Sequence, residues 1–354
     1  MAKNLIFIMA GGRGERFWPH SRQKKPKHLL PIVGDKPMLS QTVDRLTPIV
    51  PLENIYVMTN REQRASILES CPEIKPSNVI CEPVGRDTSA VVGLAMLIAE
   101  QQGDDAVFSM LPADSVIHDS QSFSSNLKQA FSIASANDVF VTLGITPHFP
   151  ATGYGYIKQG EEFLSTGAYR VEKFVEKPNS ETAQQYLAEG NFLWNAGIFV
   201  WSVKAIRTAF ESLAPDIYAF LATMRQELKL GDPLDNVLEK HFHLIRKISI
   251  DYSVLEKSSN VVVIKAAFDW DDVGEWTALA RHYPSDANGN VIKGISLLEN
   301  SNRNIVVTDQ NHLIALLGVD DLIVVHTPDA TLICPKSQAQ NIKQLVANMP
   351  KNLL

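Results

Sequence analysis

Gly11, Gly12 and Gly14 follow an apolar run, Leu5-Ile6-Phe7-Ile8-Met9, and are followed in turn by Arg16 and, past Pro26, by Lys27. A short apolar run that stops at a glycine cluster reads as a buried strand opening into a loop whose backbone N–H groups can face an anion. Two cations beside such a loop suit a ligand with several phosphates. A Walker loop is excluded, because Glu15 follows the third glycine and no Lys-Ser or Lys-Thr pair stands there. A dinucleotide fingerprint is excluded as well, since Phe17 occupies the place of its third glycine. For the loop alone, a glycine-rich turn with no ligand is the competing reading.

Two acidic segments add to the cradle. Asp114 ends Leu111-Pro112-Ala113-Asp114 after one β-like run, and Asp272 lies in Asp269-Trp270-Asp271-Asp272-Val273-Gly274-Glu275-Trp276 after another. Singly, each suits a helix cap or a solvated acidic turn. Jointly they suit Mg²⁺, which takes one or two protein carboxylates and fills its octahedron with phosphate oxygens and water. Three further segments have the character of recognition surfaces. Thr152-Gly153-Tyr154-Gly155-Tyr156-Ile157 offers close backbone approach and aromatic rings to a sugar face. Glu176-Lys177-Pro178 sets an acceptor for hydroxyls beside an ammonium for a phosphate, and Asn195 in Trp194-Asn195-Ala196-Gly197 carries both donor and acceptor. The stretch from Glu82 through Gly85 to Thr88 exposes polar groups to a nucleobase edge, with Asp87 or Thr88 as N-cap of the helix that follows. A zinc site or hydrolase triad is disfavoured: His241 and His243 lack helical spacing, and His118 has no evident nucleophile partner.

The elements that must position these residues alternate regularly. Strands are expected at 5–9, 55–58, 79–81, 106–111 and 139–143, and helices at 39–46, 61–70, 89–101 and 123–136. That rhythm implies a mostly parallel sheet covered on both faces, with ligands beyond the carboxyl ends of the strands. From about Tyr154 the pattern reads as strand-rich and less regular, an insertion or extension of the sheet. After Pro284, short β-rich runs punctuated by Asn and Gly suggest a stacked β-helix, and 338–347 reads as a helix. With 354 residues there is room for one large domain and a smaller one, packed together without a low-complexity linker. The net charge of -6 and the absence of a long basic run argue against nucleic-acid binding. Three scattered cysteines fit a reducing compartment, and the N-terminus is neither a signal peptide nor a membrane span, so a cytoplasmic protein without membrane association is expected.

With these motifs assembled, the chain resembles the nucleotidyltransferase family that makes nucleotide sugars. The resemblance rests on the segments from Ala10 to Pro19, Pro26 to Leu30, Leu111 to Asp114, Thr152 to Ile157, Glu176 to Pro178, Trp194 to Gly197, Ser249 to Tyr252 and Asp272 to Trp276. It implies an α/β, doubly wound nucleotidyltransferase domain over 1–284 and a small left-handed β-helix module over 285–354. Ending at Leu354, the chain is expected to be the short, single-function form. The implied reaction joins GTP to mannose 1-phosphate with release of pyrophosphate; another base or sugar, or a non-catalytic nucleotide-sugar-binding relative, are the alternatives. By the same resemblance Gly11, Gly12, Gly14 and Arg16 hold the triphosphate, Lys27 neutralises charge near the transferred phosphorus, and Asp114 and Asp272 hold Mg²⁺ or Mn²⁺. Glu82, Gly85 and Thr88 face guanine, Lys177 grips the sugar phosphate, and Tyr154, Gly155, Glu176 and Asn195 meet the sugar. The expected assembly is a homo-oligomer, a dimer. Three departures from the family pattern stand out: His28 for glutamine, Ser115 for histidine, and Asp87-Thr88-Ser89 for Asn-Thr-Ala.

Overall fold

Leu5, Ile6, Phe7 and Ile8 are all fully buried in the computed structural model, which describes residues 3–308, 311–350 and 353. Successive side chains of a strand point to opposite faces, so a continuous apolar run requires cover on both. Accordingly Ile6 and Ile8 enter one core, while Leu5 and Phe7 enter another on the far side.

The chain builds this layering through β1 (Asn4–Met9), α1 (Met38–Leu46), β2 (Ile55–Asn60), α2 (Arg64–Ser70), β3 (Val79–Glu82), α3 (Asp87–Glu100), β4 (Val107–Pro112), α4 (Ser120–Ala136) and β5 (Phe140–Ile145). There follow β6 (Tyr156–Phe163), β7 (Ala168–Val175), α5 (Ser180–Glu189), β8 (Phe192–Ser202), α6 (Val203–Leu213), α7 (Pro215–Lys229), α8 (Leu234–His241), α9 (Ile250–Ser253) and β9 (Val261–Lys265). The nine strands form one sheet in the order β3-β2-β1-β4-β8-β5-β9-β7-β6. The run from β3 to β4 is parallel, as is β5 with β9, whereas β8 is inserted antiparallel between β4 and β5, and β7 and β6 extend the sheet antiparallel beyond β9. Helix α3 is apolar nearly all round because it is sandwiched in the core, and a Cβ at Gly93 would come within 2.7 Å of the Leu221 side chain on α7.

Two sequence expectations are corrected. The region after Tyr154 is not chiefly strand: it holds the four longer helices α5 to α8 and the short α9. Their signals are local. Asn179 and Ser202 accept N–H groups at two helix starts, Pro215 opens a third, and Val203, Ile206 and Phe210 repeat at helical spacing. Neither Asp87 nor Thr88 caps α3. Asp87 accepts only the N–H of Thr88, and the Thr88 hydroxyl instead accepts the N–H of Ile250 at 2.8 Å.

The C-terminal part comprises β10 (Val291–Lys293), β11 (Ile295–Glu299), β12 (Ile305–Val307), β13 (Leu313–Leu317), β14 (Leu322–Thr327), β15 (Ala330–Pro335) and α10 (Ile342–Ala347). Parallel partners such as Ile305 and Ile323, or Ile295 and Leu313, lie one coil apart, which is β-helix stacking. Buried asparagines link the coils: Asn304 donates to Asn290 Oδ1 and accepts from the N–H of Leu322. This module shares a core with the rest of the molecule, in which Phe17, Trp18 and Trp276 pack with Ile305, Val325, Ile342 and Val346. Among the described residues no helix is long and apolar enough to cross a membrane.

Candidate active site

Strand pairing alone brings two of the motifs together. In the parallel register Met9 lies opposite Pro112, and past that point Ala113 donates its N–H to Met9 while Ala10 donates to Met58. The glycine loop and Asp114 therefore leave the sheet side by side. The third motif arrives from β9 through a two-residue bridge in which Val116 and Asp271 exchange both backbone hydrogen bonds, at 2.8 and 3.0 Å. Asp114 and Asp272, distant in sequence, face one 520 Å³ cleft together with Gly14, Arg16 and Lys27.

Lys27 ties this convergence. Only 6% exposed, its ammonium pairs with Asp114 Oδ2 at 2.9 Å and donates to the main-chain oxygens of both Asp114 and Asp272. Burial raises the Asp114 carboxyl, but the charge and hydrogen bond of Lys27 outweigh it and hold the group below the ordinary carboxylate value. Gly14 makes this seat possible. It adopts φ 63°, and a Cβ there would overlap Lys27 itself.

Asp272 is aimed by its neighbour. The Asp271 carboxylate takes Arg281 and His282 on one side and the N–H of Val273 at 2.8 Å on the other. Val273 thereby holds φ 43°, an unfavourable conformation for a β-branched residue. Burial pushes Asp271 up, yet these hydrogen bonds keep its carboxyl well below the ordinary range. The Asp272 carboxyl is raised, because burial exceeds the opposing help of Tyr154 and Lys27. Motif spacing does not single out Asp271, Arg281 or His282; the one local signal is a second aspartate next to the first.

The glycine-loop residues leave open space at the cleft. Gly11 and Gly12 are exposed, and a Cβ on Gly12 would meet nothing within 4 Å. Arg16 lines the cleft with its Nε buried and without a hydrogen-bond partner, a donor that an anion could use. His28 is buried, and burial lowers its pKa to about 4, so it is neutral at physiological pH and stands in for an amide without adding charge. Glu82, 8% exposed at the end of β3, lies beside Gly11, and burial reinforced by Asp87 raises its pKa to about 7.

A second cavity holds the remaining motif residues. Gly155, Glu176 and Asn195 line it with Tyr154, Asp272 and Asp251. Gly155 is required for this approach, since a Cβ would come within 2.7 Å of Glu176 Oε2. Asp251, from the segment Ser249 to Tyr252, is a further titratable group here; burial and the charge of Glu176 raise its pKa to about 6. Thr88 lines this cavity also, away from Glu82, while Gly85 lies exposed on the intervening loop. Lys177 pairs with Glu176 and lines a third cavity with Arg16, Tyr154 and Asp272. Among the described residues no group of three or more His, Cys, Asp or Glu side chains is placed to hold a metal ion.

Comparison with known proteins bears on the family and the fold. Residues 5–289 match the family described as Nucleotidyl transferase, and residues 298–349 match a MannoseP isomerase/GMP-like beta-helix domain. A mannose-1-phosphate guanylyltransferase from Klebsiella pneumoniae is 35% identical over 352 residues, which are 98% of this chain and 74% of that protein. One from Salmonella montevideo is 38% identical over 347 residues, 96% of this chain and 72% of that protein. A crystal structure from Thermus thermophilus, described as a mannose-1-phosphate geranyltransferase, superposes with a TM-score of 0.86 at 33% identity, covering 98% of both chains.

Proposed function

Because this chain belongs to the Nucleotidyl transferase family, we propose that it transfers the guanylyl group of GTP to mannose 1-phosphate, giving GDP-mannose and pyrophosphate. The observation that carries the reading is the place of Asp272, which borders all three cavities: the phosphate-loop cleft, the cavity of Glu176 and Asn195, and that of Lys177. A carboxylate at that junction stands where two phosphorylated reactants must meet.

The nucleophile is a phosphate oxygen already ionised at neutral pH, so the site needs no general base, and catalysis reduces to positioning and charge neutralisation. Gly11, Gly12 and Gly14 present backbone N–H groups to the triphosphate, and Arg16 supplies fixed charge between nucleotide and sugar phosphate. Lys177 meets the sugar phosphate, Glu176 and Asn195 its hydroxyls, and Glu82 accepts the donor edge of guanine. The chemistry of Asp114 and Asp272, two hard oxygen donors on one cleft, fits Mg²⁺ or Mn²⁺. When bound, such a cation withdraws charge from the phosphates at the reacting centre. Lys27, which donates to the main-chain oxygens of both aspartates, ties the two segments together. A cytoplasmic setting and a homodimer belong to the same reading; the three cysteines are unpaired, and sedimentation equilibrium tests the dimer.

The deciding experiment is pyrophosphate release from each pairing of a nucleoside triphosphate with a sugar 1-phosphate, with and without Mg²⁺. GTP with mannose 1-phosphate is expected to be preferred and to depend on the cation. Preference for another pairing, or no release with any, overturns the assignment.

A further inference from the structure

The phosphate-loop cleft is not built by the large domain alone: Lys343, on α10 of the C-terminal module, forms part of its wall beside Arg13, Gly14, Glu15 and Arg16. We propose that Lys343 is a substrate-binding residue, gripping the terminal phosphates of the nucleotide and the pyrophosphate that departs. This rests on the nucleotidyl-transfer reading and adds a contact from a module that the reading leaves without a role.

Three observations converge. First, the lysine is held in place. Its neighbours Ile342 and Val346 are buried in the same core as Phe17 and Trp18, so α10 is packed against the end of the glycine loop. Second, the cleft needs the charge. Lys27 is already committed to Asp114 and to two carbonyls. Among the described residues no ion pair is formed by Arg13, Arg16 or Lys343, so these three are the cations left for a polyphosphate. Third, position separates their duties. Arg16 borders both the nucleotide cleft and the Lys177 cavity, whereas Lys343 lines the nucleotide cleft, with Arg13 and Glu15, and not the Lys177 cavity. Lys343 is exposed, and an ammonium on a flexible stem binds phosphate as a point charge, without the orientation a guanidinium demands.

The test is steady-state kinetics of the full chain in both directions for Lys343→Ala and Lys343→Arg. For Lys343→Ala the KM for inorganic pyrophosphate is expected to rise about tenfold, the scale of one charge-assisted hydrogen bond. The KM for GTP should rise with it, the KM values for GDP-mannose and mannose 1-phosphate should stay within about twofold, and Lys343→Arg should recover most of the loss. An unchanged pyrophosphate KM overturns the proposal. So does a parallel rise in all four KM values or a lowered melting temperature, since either makes the lysine structural. Failure of the wild-type chain to release pyrophosphate from GTP and mannose 1-phosphate would defeat the parent reading instead.

Discussion

The hydroxyl of Tyr154 donates to Oδ1 of Asp272 at 2.6 Å. Its ring is wedged among Trp194, Trp270 and Phe149, with centroids 5.1, 5.2 and 6.2 Å away, so the phenol has little freedom to point elsewhere. A residue whose glycine-flanked motif suggests sugar recognition thus spends its polar atom on the carboxylate at the junction of the cavities. Gly274 keeps the other side clear, since a Cβ there would lie 2.9 Å from Asp272 Oδ2.

Tyr154→Phe is therefore expected to lower kcat by roughly tenfold, as loss of a hydrogen bond to a charged group does. Mn²⁺ titration followed by electron paramagnetic resonance should show weaker binding, while the KM for mannose 1-phosphate stays within about twofold. A rise confined to that KM, with Mn²⁺ binding unchanged, would return the hydroxyl to the sugar.

Replacing either aspartate at the cleft removes a preorganised charge. Asp114→Ala and Asp272→Ala should each reduce turnover by about a hundredfold or more. Near-normal turnover in either purified variant removes that residue from the chemistry.

Lys27→Met separates two roles of one ammonium. It leaves the Asp114 carboxylate without its buried partner and two main-chain oxygens without their donor. Stability should fall by about 3 kcal/mol, read by denaturant unfolding, and activity should be lost as the two aspartate segments come apart. A variant as stable as wild type would show that the tether is not structural.

Glu82 gives a stability with a defined pH course. Its folded pKa of about 7 lies above the ordinary 4.5, so the folded state binds the proton more tightly. The associated stability is fully present below pH 4.5 and is lost as pH rises through 7, a change of about 3 kcal/mol. Glu82→Gln has no such titration. Its melting temperature should exceed wild type at pH 8 by more than at pH 5, while its KM for GTP rises. An equal difference at both pH values contradicts this assignment.

Much of the site is legible from the chain because its parts are punctuated locally. The glycine loop and Asp114 each end an apolar run, and parallel strand order brings those two ends to one rim, whereas the Glu176-Lys177 pair arrives at the end of an antiparallel strand. What spacing cannot supply is partnership at a distance. That Lys27 joins Asp114 to Asp272, that Asp271 takes Arg281 and His282 to fix the Val273 turn, and that Thr88 answers Ile250 all depend on how loops cross after folding. Helices α5 to α8 are hidden for a different reason. Residues 198–202 favour strand and do form part of β8, and carrying that strand character to the flanking segments passes over the caps at Asn179 and Ser202.

Phe17 and Trp18 are synthesised nearly three hundred residues before Ile305, Val325, Ile342 and Val346, which enclose them. The glycine loop is thus written well before the residues that seat it. A nascent or truncated chain carries these two aromatic rings uncovered, so chaperone engagement should persist until the closing helix emerges. Catalytic competence then doubles as a report that translation has run far enough to cover the glycine loop.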